Sequence, residues 1–398
     1  MPRPAVTSRL PLLLGFLIAV GPISTDMYLP AFPAIARDFG APGAPQISLA
    51  AYFIGLAMGQ LTQGALSDRL GRRGPLLVGL AVYTLASLGC ALCWSVSSFA
   101  VFRFLAAFGC SAGVVIPRAM VRDLADGPEA AKLFSKLMLV MGVAPIVAPM
   151  LGALSMSLGS WRMIFCLAAL YGVVAVTLVW VFLPDTLPPE RRTRLGPAAV
   201  MVRYAAIFGE RTFLTHALIL MFTSAALFAY LSGSPEIFVG LYRWTTAEYA
   251  GLFAVTALAY IGYNQLNPLL VARYGISPVI SVAGNVLLVA SLLLGLLAWH
   301  PLGPLWVALA VLIGEMGFGL VMPCSMVGAL SHHQAHAGSA SALMGTLQYS
   351  GGALACLAIG AWAENSVTPM AVAMLVCASL AVLAALARPR LSFAPAES

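Results

Sequence analysis

The sequence predicts an all-α membrane protein in which twelve transmembrane helices form two pseudo-symmetric six-helix bundles, with both termini in the cytoplasm. The first supporting observation is composition: of 398 residues, 61% are hydrophobic and 9% are charged, whereas about a quarter are charged in an ordinary soluble domain. The second is that the apolar residues form continuous runs, unlike the alternating pattern of a membrane β-barrel. The third is the concentration of arginines in alternate links. This composition excludes a soluble enzyme, a secreted disulfide scaffold and a disordered chain.

The apolar runs predict the helices one by one. A helix needs about 20 apolar residues to cross the hydrocarbon core of a bilayer. Twelve such runs use nearly the whole chain and leave no room for a separate soluble domain. Their predicted limits are 11–31, 47–66, 76–94, 99–121, 133–156, 161–183, 212–232, 249–267, 278–299, 303–328, 338–361 and 367–387.

The basic residues predict the orientation of these helices. With the N-terminus inside, the cytoplasmic segments hold 17 Lys and Arg residues, whereas the outer links hold Arg37, Arg162 and Arg243. The remaining basic residue, Arg103, falls inside a run. Cytoplasmic loops of membrane proteins carry an excess of Lys and Arg, so both termini are predicted to be cytoplasmic.

The longest link divides the runs six and six. We therefore predict an N-terminal six-helix bundle at 1–183, a cytoplasmic linker at 184–211 and a C-terminal six-helix bundle at 212–398.

Two short segments suggest that the halves are copies of one unit. Residues 113–117 (Gly-Val-Val-Ile-Pro) match residues 319–323 (Gly-Leu-Val-Met-Pro), and residues 68–71 (Asp-Arg-Leu-Gly) match residues 272–275 (Ala-Arg-Tyr-Gly). The two offsets, 206 and 204 residues, are nearly equal. Repeated bundles that rock around a central cavity are a transporter architecture.

Several other classes of site are disfavoured. The net charge is +7, but most basic residues lie between apolar runs, where they set topology, so no nucleic-acid partner is predicted. Neither lysine, Lys132 or Lys136, follows a glycine, so the chain has no P-loop. His332, His333 and His336 lack acidic or cysteine ligands nearby in sequence, so we predict no metal and no cofactor.

Two charged residues inside the runs are candidates for proton coupling. At 1.5 Å per residue, Asp26 lies about 21 Å from the inner end of its run and Arg103 about 24 Å from the inner end of its own. They therefore share a depth. Burial raises the pKa of a carboxylate and a neighbouring arginine lowers it, so Asp26 is predicted to bind and release a proton, with Arg103 as counter-charge or gating partner. A structural ion pair, or a residue that is hydrated at the end of its helix, is the alternative.

Glu315 is the third ionisable residue inside a run, near the midplane. It could be a second proton site, the acidic partner of a cationic drug, or a protonated packing residue, and the sequence leaves these alternatives open.

A polar motif follows the second run. Asp68 lies near the N-terminus of the eleventh run, where the helix dipole stabilises a carboxylate, so this motif is predicted to gate the inner side. Its members are Gly64, Asp68, Arg69, Gly71, Arg72 and Arg73.

The fifth run carries two prolines four residues apart between glycines. Prolines remove backbone hydrogen bonds and bend a helix, and glycines permit close helix packing. The predicted bend comprises Gly142, Pro145, Pro149 and Gly152.

Methionine, aromatic and amide side chains are candidates for an apolar substrate cavity, because such side chains repack around varied ligands. For any single one, ordinary helix packing is the alternative. The candidates are Met27, Tyr28, Phe108, Met138, Met141, Phe228, Tyr230, Asn264, Asn267 and Met316.

These residues together resemble the major facilitator superfamily, and within it the drug:proton antiporters of the Bcr/CflA type. The resemblance covers essentially the whole chain. It rests on the motif after the second run, on Arg103-Phe104 and Cys110-Ser111-Ala112-Gly113 in the fourth, on the fifth-run prolines, on residues 24–31 (Ser-Thr-Asp-Met-Tyr-Leu-Pro-Ala) and on residues 337–343 (Ala-Gly-Ser-Ala-Ser-Ala-Leu).

The resemblance implies roles for five positions of this chain. Asp26 would be the protonatable carboxylate, Arg103 the motif arginine of the fourth run, Asp68 the gate residue, and Pro145 and Pro149 the antiporter bend. Three departures stand out. Ala144 and Ala148 replace the glycines that usually precede the two prolines, the second copy of the gating motif has Ala272 in place of Asp68, and Ile18 stands where some multidrug relatives carry a second acid.

The function expected from these residues is proton-coupled efflux of small hydrophobic drugs across a bacterial inner membrane by alternating access. The expected partners are the drug, protons and the lipid bilayer, with the chain acting as a monomer. Export of a metabolite such as an amino acid or a sugar is the alternative on the same scaffold. An integral-membrane enzyme is a remote one, because no nucleophile with a neighbouring base is evident.

Overall fold

The computed structural model describes residues 10–124, 127–192, 196–333, 336–362 and 366–389. Within this part every regular element is helical, and each of the twelve predicted runs falls on a helix or a chain of helices. The α-helices are α1 (Leu10–Ile18), α2 (Val20–Asp26), α3 (Phe32–Phe39), α4 (Ala44–Leu70), α5 (Arg73–Leu92), α6 (Val96–Leu124), α7 (Gly127–Ser157), α8 (Arg162–Phe182), α9 (Pro197–Phe208), α10 (Arg211–Pro235), α11 (Thr246–Tyr274), α12 (Ile276–Trp299), α13 (Pro304–Leu330), α14 (Ala337–Trp362) and α15 (Thr368–Ala387).

Ten helical segments in the described part are long and apolar enough to cross a membrane. The helices α4 and α11 are not among them, although they have 27 and 29 residues, because amide and charged side chains make them more polar. The prediction of twelve spans is thus supported for ten. Large apolar side chains such as Leu85, Leu269 and Leu386 are exposed on the helix surfaces, as expected for helices that face lipid.

The first segment is broken rather than continuous. It consists of α1, α2, a 3₁₀ turn at Leu29–Ala31 and α3, and it reaches Phe39 instead of ending at residue 31 as predicted. Pro30 and Pro33 each lie in the first turn of the element they belong to. Proline cannot donate the hydrogen bond that would continue the preceding helix, so the chain unwinds just after Asp26.

The helices pack in two groups. In the N-terminal half the main pairs are α4 with α6, α5 with α6 and α5 with α8, and in the C-terminal half they are α10 with α14 and α15, α12 with α13 and α15, and α13 with α10 and α11. The groups meet mainly through α4 against α14 and α7 against α11. The helix α9 lies in the segment 184–211, which joins the two groups.

The links 71–72, 183–210 and 331–336 join helices at one end of the molecule, which we call the arginine-rich end. In the described part, the hydrogen bonds that join one half to the other lie away from this end. The Gln46 Nε2 donates to the Glu236 carboxylate at 2.8 Å, and the Thr346 hydroxyl donates to the carbonyl of Ala57, halfway along α4, at 3.1 Å. A β-carbon on Gly43 would lie 2.6 Å from the Gly360 carbonyl oxygen, so the backbones nearly touch there. In the described part, the close contacts between the halves thus extend from the end opposite the arginine-rich one to the middle of α4.

Candidate functional site

Asp26 is the last residue of α2, at the point where the first segment unwinds. It is buried, with 7% of its surface exposed, and no hydrogen bond or ion pair to its carboxylate is found in the described part of the chain. Tyr249 of α11 and Tyr349 of α14 are close enough to interact with it electrostatically. Asp26 therefore faces the C-terminal half without a cation beside it.

Arg103 of α6 is fully buried in an aromatic cage. Its guanidinium carbon lies 4.2 Å from the ring centroids of Tyr28 and Tyr52 and 5.6 Å from that of Phe165. The Nη1 donates to the Ser24 carbonyl at 3.1 Å, whereas Nε and Nη2 have no acceptor among the described residues. Cation–π contacts thus replace the expected carboxylate as partner of this charge.

The predicted pair of charges lies at one depth without forming an ion pair. Arg103 contacts Ser24 and Tyr28, which lie two residues before and two residues after Asp26. The Ser24 hydroxyl donates to the Tyr83 hydroxyl at 2.8 Å, which fixes this turn against α5. The guanidinium therefore holds the backbone around the acid, and two of its nitrogens remain available to another acceptor.

At the glycines of the predicted bend, α7 approaches the first segment of its own half and α11 of the other half. A β-carbon on Gly152 would lie 1.8 Å from the Met27 carbonyl oxygen, so only glycine permits α7 to approach the unwound turn beside Asp26. A β-carbon on Gly142 would lie 3.6 Å from Ile261 of α11. Pro145 and Pro149 lie inside α7, which continues through both.

The gating motif is organised around Arg72, which is buried between carboxylates. Its Nε donates to the Asp123 carboxylate at 2.8 Å, its Nη1 donates to Asp68 and to the Ser67 hydroxyl, and its backbone N–H donates to Asp185 at 2.9 Å. Burial alone would lower the pKa of the guanidinium, but the hydrogen bonds and charge of Asp123 outweigh it and hold the pKa above its ordinary value. The motif thus ties α4 and α5 to α6 and to the chain after α8.

The other members of the motif take separate positions. Gly71 ends α4 with φ of 95°, and a β-carbon there would lie 2.2 Å from the Asp185 carboxylate. Asp68 is half exposed, Arg69 is exposed, and Arg73 donates to the Trp180 carbonyl at 2.6 Å. A β-carbon on Gly64 would lie 3.7 Å from Val115, which is an ordinary van der Waals distance. No hydrogen bond or ion pair from Asp68 to the start of α14 is found among the described residues.

Aromatic rings line the contact between the halves. Phe53 of α4 lies 4.2 Å from Phe228 of α10 and 6.0 Å from Tyr349 of α14, measured between ring centroids. Of the other cavity candidates, Met27 and Tyr28 are buried beside Asp26, and Phe108, Met141 and Asn264 are partly exposed. The side chain of Met138 lies outside the described part.

Three cavity candidates pack inside the C-terminal half. The Tyr230 hydroxyl lies 3.1 Å from that of Thr256, and Asn267 donates to the Leu320 carbonyl at 2.8 Å. Met316 packs against an apolar cluster that α12 and α13 share. Their contacts are those of helix packing, the alternative that the sequence left open.

Glu315 lies in the middle of α13 with 2% of its surface exposed. In the part that the structure describes, its carboxylate has neither a hydrogen bond nor an ion pair. The hydroxyls of Tyr230 and Tyr260 are its electrostatic neighbours. It is thus a second buried acid without a cation, in the other half of the molecule.

His332 and His333 face a carboxylate. Their ring nitrogens lie 3.4 and 3.3 Å from the oxygens of Glu210, which caps α10 by accepting from the backbone N–H groups of Thr212 and Phe213. Although burial opposes it, these hydrogen bonds lower the pKa of Glu210 to about 2. Among the described residues no group of three or more His, Cys, Asp or Glu side chains could hold a metal.

Several of these partners were absent from the sequence prediction. Tyr52, Phe165 and Asp185 come from helices or links far away in sequence, and no local spacing marks them. Gln46 was also missed; an amide in the first turn of a predicted helix was the available signal. A surface groove of about 830 Å³ between the starts of α11 and α13 contains none of the predicted cavity residues.

Comparison with known proteins bears on the whole chain. The family model described as Major Facilitator Superfamily matches residues 14–356. An uncharacterized MFS-type transporter of Bacillus subtilis, YdgK, is 35% identical over 94% of this chain and 93% of its own length. A bicyclomycin resistance protein homolog of Haemophilus influenzae is 28% identical over 94% of both chains, and the multidrug resistance protein MdtL of Shigella flexneri is 27% identical over 87% and 88%.

Solved structures agree on the fold. A D-xylose-proton symporter superposes with a TM-score of 0.77 over 94% of this chain and 95% of its own, at 16% identity. The human organic anion transporter MFSD10 superposes with a TM-score of 0.70 over 96% and 100%, at 18% identity. At such identities the likeness concerns the fold alone.

Proposed function

The chain belongs to the Major Facilitator Superfamily, as a multi-pass protein of the inner membrane, and we propose that it exports small hydrophobic drugs in exchange for protons. Its relatives named for bicyclomycin and multidrug resistance support this substrate class. We further propose twelve spans in two six-helix bundles, 1–183 and 212–398, which rock about the linker 184–211 as a monomer with both termini cytoplasmic.

The observation that carries the proposal is the environment of Asp26. A carboxylate buried without a cation is strongly disfavoured in its charged form. Asp26 therefore binds a proton in this conformation, and it loses the proton when a movement of the bundles brings in water or a polar ligand. A site whose proton affinity depends on conformation is what antiport requires.

Arg103 has a positioning role in this mechanism. Its guanidinium holds the Ser24 carbonyl and the Tyr28 ring on either side of Asp26, with two nitrogens available. When the bundles tilt and the turn moves, the same guanidinium can donate hydrogen bonds to the deprotonated Asp26 carboxylate, which stabilises its charged form.

The substrate is proposed to bind between the bundles, next to Phe53, Phe228 and Tyr349. Aromatic surfaces with few polar groups suit small, partly hydrophobic molecules of varied shape. The glycines of α7 place this helix against both the turn at Met27 and α11, so a bend at its prolines can follow the tilt of either bundle.

Asp68 is proposed to gate the arginine-rich end. Its side chain is half exposed and held only by Arg72 among the described residues. When this end closes, the carboxylate reaches the N-terminus of α14, where the helix dipole stabilises negative charge by about 0.3–1 kcal/mol. That contact biases the equilibrium between the two conformations without a part in the proton step.

The decisive experiment measures drug uptake into inverted vesicles driven by an imposed proton gradient. Asp26→Asn should abolish uphill uptake and its pH dependence, because the amide cannot carry a proton. Asp38→Asn is the matched control: Asp38 lies in the same segment, partly exposed and paired with Arg162 at 2.6 Å, and its loss should leave uptake intact. Uphill uptake by Asp26→Asn with the wild-type pH dependence would refute the proton role.

A panel of hydrophobic antibiotics, run beside amino acids and sugars, tests the substrate class. Protection of an efflux-deficient host against the antibiotics supports drug export. Proton-driven movement of a metabolite alone would instead establish the metabolite exporter, which the same fold permits.

A further inference from the structure

The helix α9, in the link between the halves, is apolar on all sides. Of its 12 residues, Arg203 alone is charged. The exposed side chains described for α9 are those of Ala198, Ala199, Met201, Val202, Ala205, Ala206 and Phe208. Val202 is 71% exposed and Met201 64%. Because a helix that meets water carries polar residues on its exposed face, this face of α9 does not suit water.

The length of α9 excludes a further span. Its 12 residues rise about 18 Å, whereas the hydrocarbon core of a bilayer is about 30 Å thick. An apolar helix of this length is either a buried core helix or a helix at the membrane interface. Since half of α9 is exposed, it is not a core helix.

The other side of α9 contacts both halves of the molecule. The Tyr204 hydroxyl donates to the Leu61 carbonyl of α4 at 3.2 Å. Ile207 is 2% exposed and belongs to an apolar cluster with Phe213 of α10 and Met344 of α14. The helix is therefore held by one half through a hydrogen bond and by the other through apolar packing.

These contacts place α9 within the depth of the long helices. Leu61 precedes the end of α4, Leu70, by nine residues, or about 14 Å along the helix axis. Met344 follows the start of α14, Ala337, by seven residues, or about 10 Å. The tyrosine and isoleucine side chains are shorter than these distances, so α9 lies beside the helix ends rather than beyond them. Its exposed half thus reaches the depth at which headgroups meet acyl chains.

The charge of the link is complementary to anionic lipid. Residues 190–211 include five arginines and two glutamates. Arg203 is partly exposed beside the apolar face, and no acceptor for its guanidinium is found in the described part of the chain. An arginine can bury its apolar stem along such a face and keep its charge at the headgroups.

We propose that α9 is an interfacial membrane helix, with its exposed half among the acyl chains of the leaflet at the arginine-rich end and Arg203 bound to the phosphate of an anionic phospholipid. Lipid covers the face that α4, α10 and α14 leave open. The leaflet therefore bears on a helix that touches both halves. This position of α9 does not depend on the proposed antiport, and its test needs neither drug nor proton gradient.

The first test measures which medium reaches the exposed face. A fluorophore is attached to Val202→Cys in the full chain in vesicles, in a background that lacks Cys166 and Cys377, the cysteines that are not buried. Quenching by nitroxide-bearing lipid should match that at Leu269→Cys, an exposed position near the same end of α11, and quenching by iodide in water should be weak. Glu190→Cys, at an exposed polar position of the same link, is the control and should show the reverse pattern.

Two outcomes would overturn the proposal. Strong quenching by iodide at Val202→Cys with little quenching by lipid would show that α9 lies in water. Protection from both quenchers would show that another protein surface covers the face, and protection that grows with the ratio of protein to lipid would identify that surface as a second copy of the chain.

The phosphate contact has a separate readout. In vesicles of equal parts phosphatidylglycerol and phosphatidylcholine, the nitroxide is carried on one lipid or on the other. The ratio of the two quenching efficiencies at Val202→Cys reports which headgroup is enriched beside α9, and we expect phosphatidylglycerol to be favoured. Arg203→Gln should lower this ratio by up to about fivefold, the equivalent of about 1 kcal/mol for one basic residue at the surface.

Two further variants separate charge from shape. Arg203→Lys keeps the charge and should keep most of the preference for phosphatidylglycerol. Arg192→Gln is the control, because the Arg192 side chain already pairs with Asp185 at 3.0 Å, and it should change the ratio less than Arg203→Gln does. A ratio that Arg203→Gln leaves unchanged would refute the phosphate contact.

Discussion

The two copies of the gating motif have the same backbone and different chemistry. Gly71 ends α4 with φ of 95° and ψ of 165°, and Gly275 ends α11 with φ of 83° and ψ of 165°. Gly275 is followed at once by α12, and Gly71 is followed by Arg72 and then by α5. The duplicated segments that the sequence indicated therefore adopt one conformation in both halves.

The side chains around the two glycines differ. In the first copy, Arg72 gathers Asp68, Asp123 and Asp185, whereas in the second copy Ala272 and Ile276 occupy the places of Asp68 and Arg72. In the second copy, a single cation near the C-terminal end of the bundle makes the hydrogen bonds to the start of the next helix.

That cation is Arg388, just after α15. It donates to the Ser277 carbonyl at 2.6 Å and to the hydroxyls of Ser277 and Ser281 at 2.8 and 2.9 Å. The duplicated backbone thus carries a network of charges in one half and neutral acceptors in the other. The comparison teaches that turn geometry survives when the ionic chemistry is lost, and that the carboxylate proposed as a gate, Asp68, has no acidic counterpart in the second copy.

The largest effect should come from Arg72→Met. Its removal leaves Asp123 buried without its cation, and breaking a buried ion pair costs about 3–5 kcal/mol. We expect a marked fall in the unfolding temperature measured in detergent. Arg388→Met, the counterpart in the second copy, removes hydrogen bonds to neutral groups and should cost about 1 kcal/mol. Equal losses for the two variants would contradict the asymmetry.

A smaller effect distinguishes the two glycines. Both have a backbone conformation that side chains rarely adopt, which costs about 1–3 kcal/mol for alanine. At Gly71 a β-carbon would also strike the Asp185 carboxylate, whereas at Gly275 the nearest atom is the Pro278 Cδ at 4.0 Å. Gly71→Ala should therefore unfold at a lower temperature than Gly275→Ala in the same detergent.

Should the two alanine variants unfold together, the crowding at Gly71 would be relieved by movement of Asp185. The expected order of unfolding temperatures thus tests whether the Asp185 carboxylate is held in place. It accepts from the backbone N–H of Arg72 at 2.9 Å and forms an ion pair with the Arg192 side chain at 3.0 Å.

The turns and the helix positions were predictable because they depend on local sequence. Apolar runs of helix length and glycines before a new helix act within a few residues. The break after Asp26 could be anticipated from Pro30 and Pro33, but its extension to Phe39 could not, because α3 is a short helix with a polar face.

The site was predictable only in part. Asp26 and Arg103 stand out in sequence as charges among apolar residues, and their common depth follows from helix rise. The cage of Tyr28, Tyr52 and Phe165 does not follow, because aromatic residues are common in every run and only tertiary packing selects these three. Tertiary packing also decides the role of Asn267. As an amide within a predicted span it suggested a cavity residue, whereas in the structure it donates to a carbonyl of α13.

The smallest effect on stability should come from Asp68→Asn. Its ion pair with Arg72 is half exposed, and such pairs contribute about 0–1 kcal/mol, so the unfolding temperature should barely change. Drug uptake into inverted vesicles should nevertheless fall, because the proposed contact with α14 requires the charge. Adding Ala272→Asp to this variant should not restore uptake, because Ile276 offers no cation to hold a carboxylate in the second copy. Recovery of uptake in the double variant would show instead that either half can supply the gate, and that the difference between the two copies has no bearing on transport.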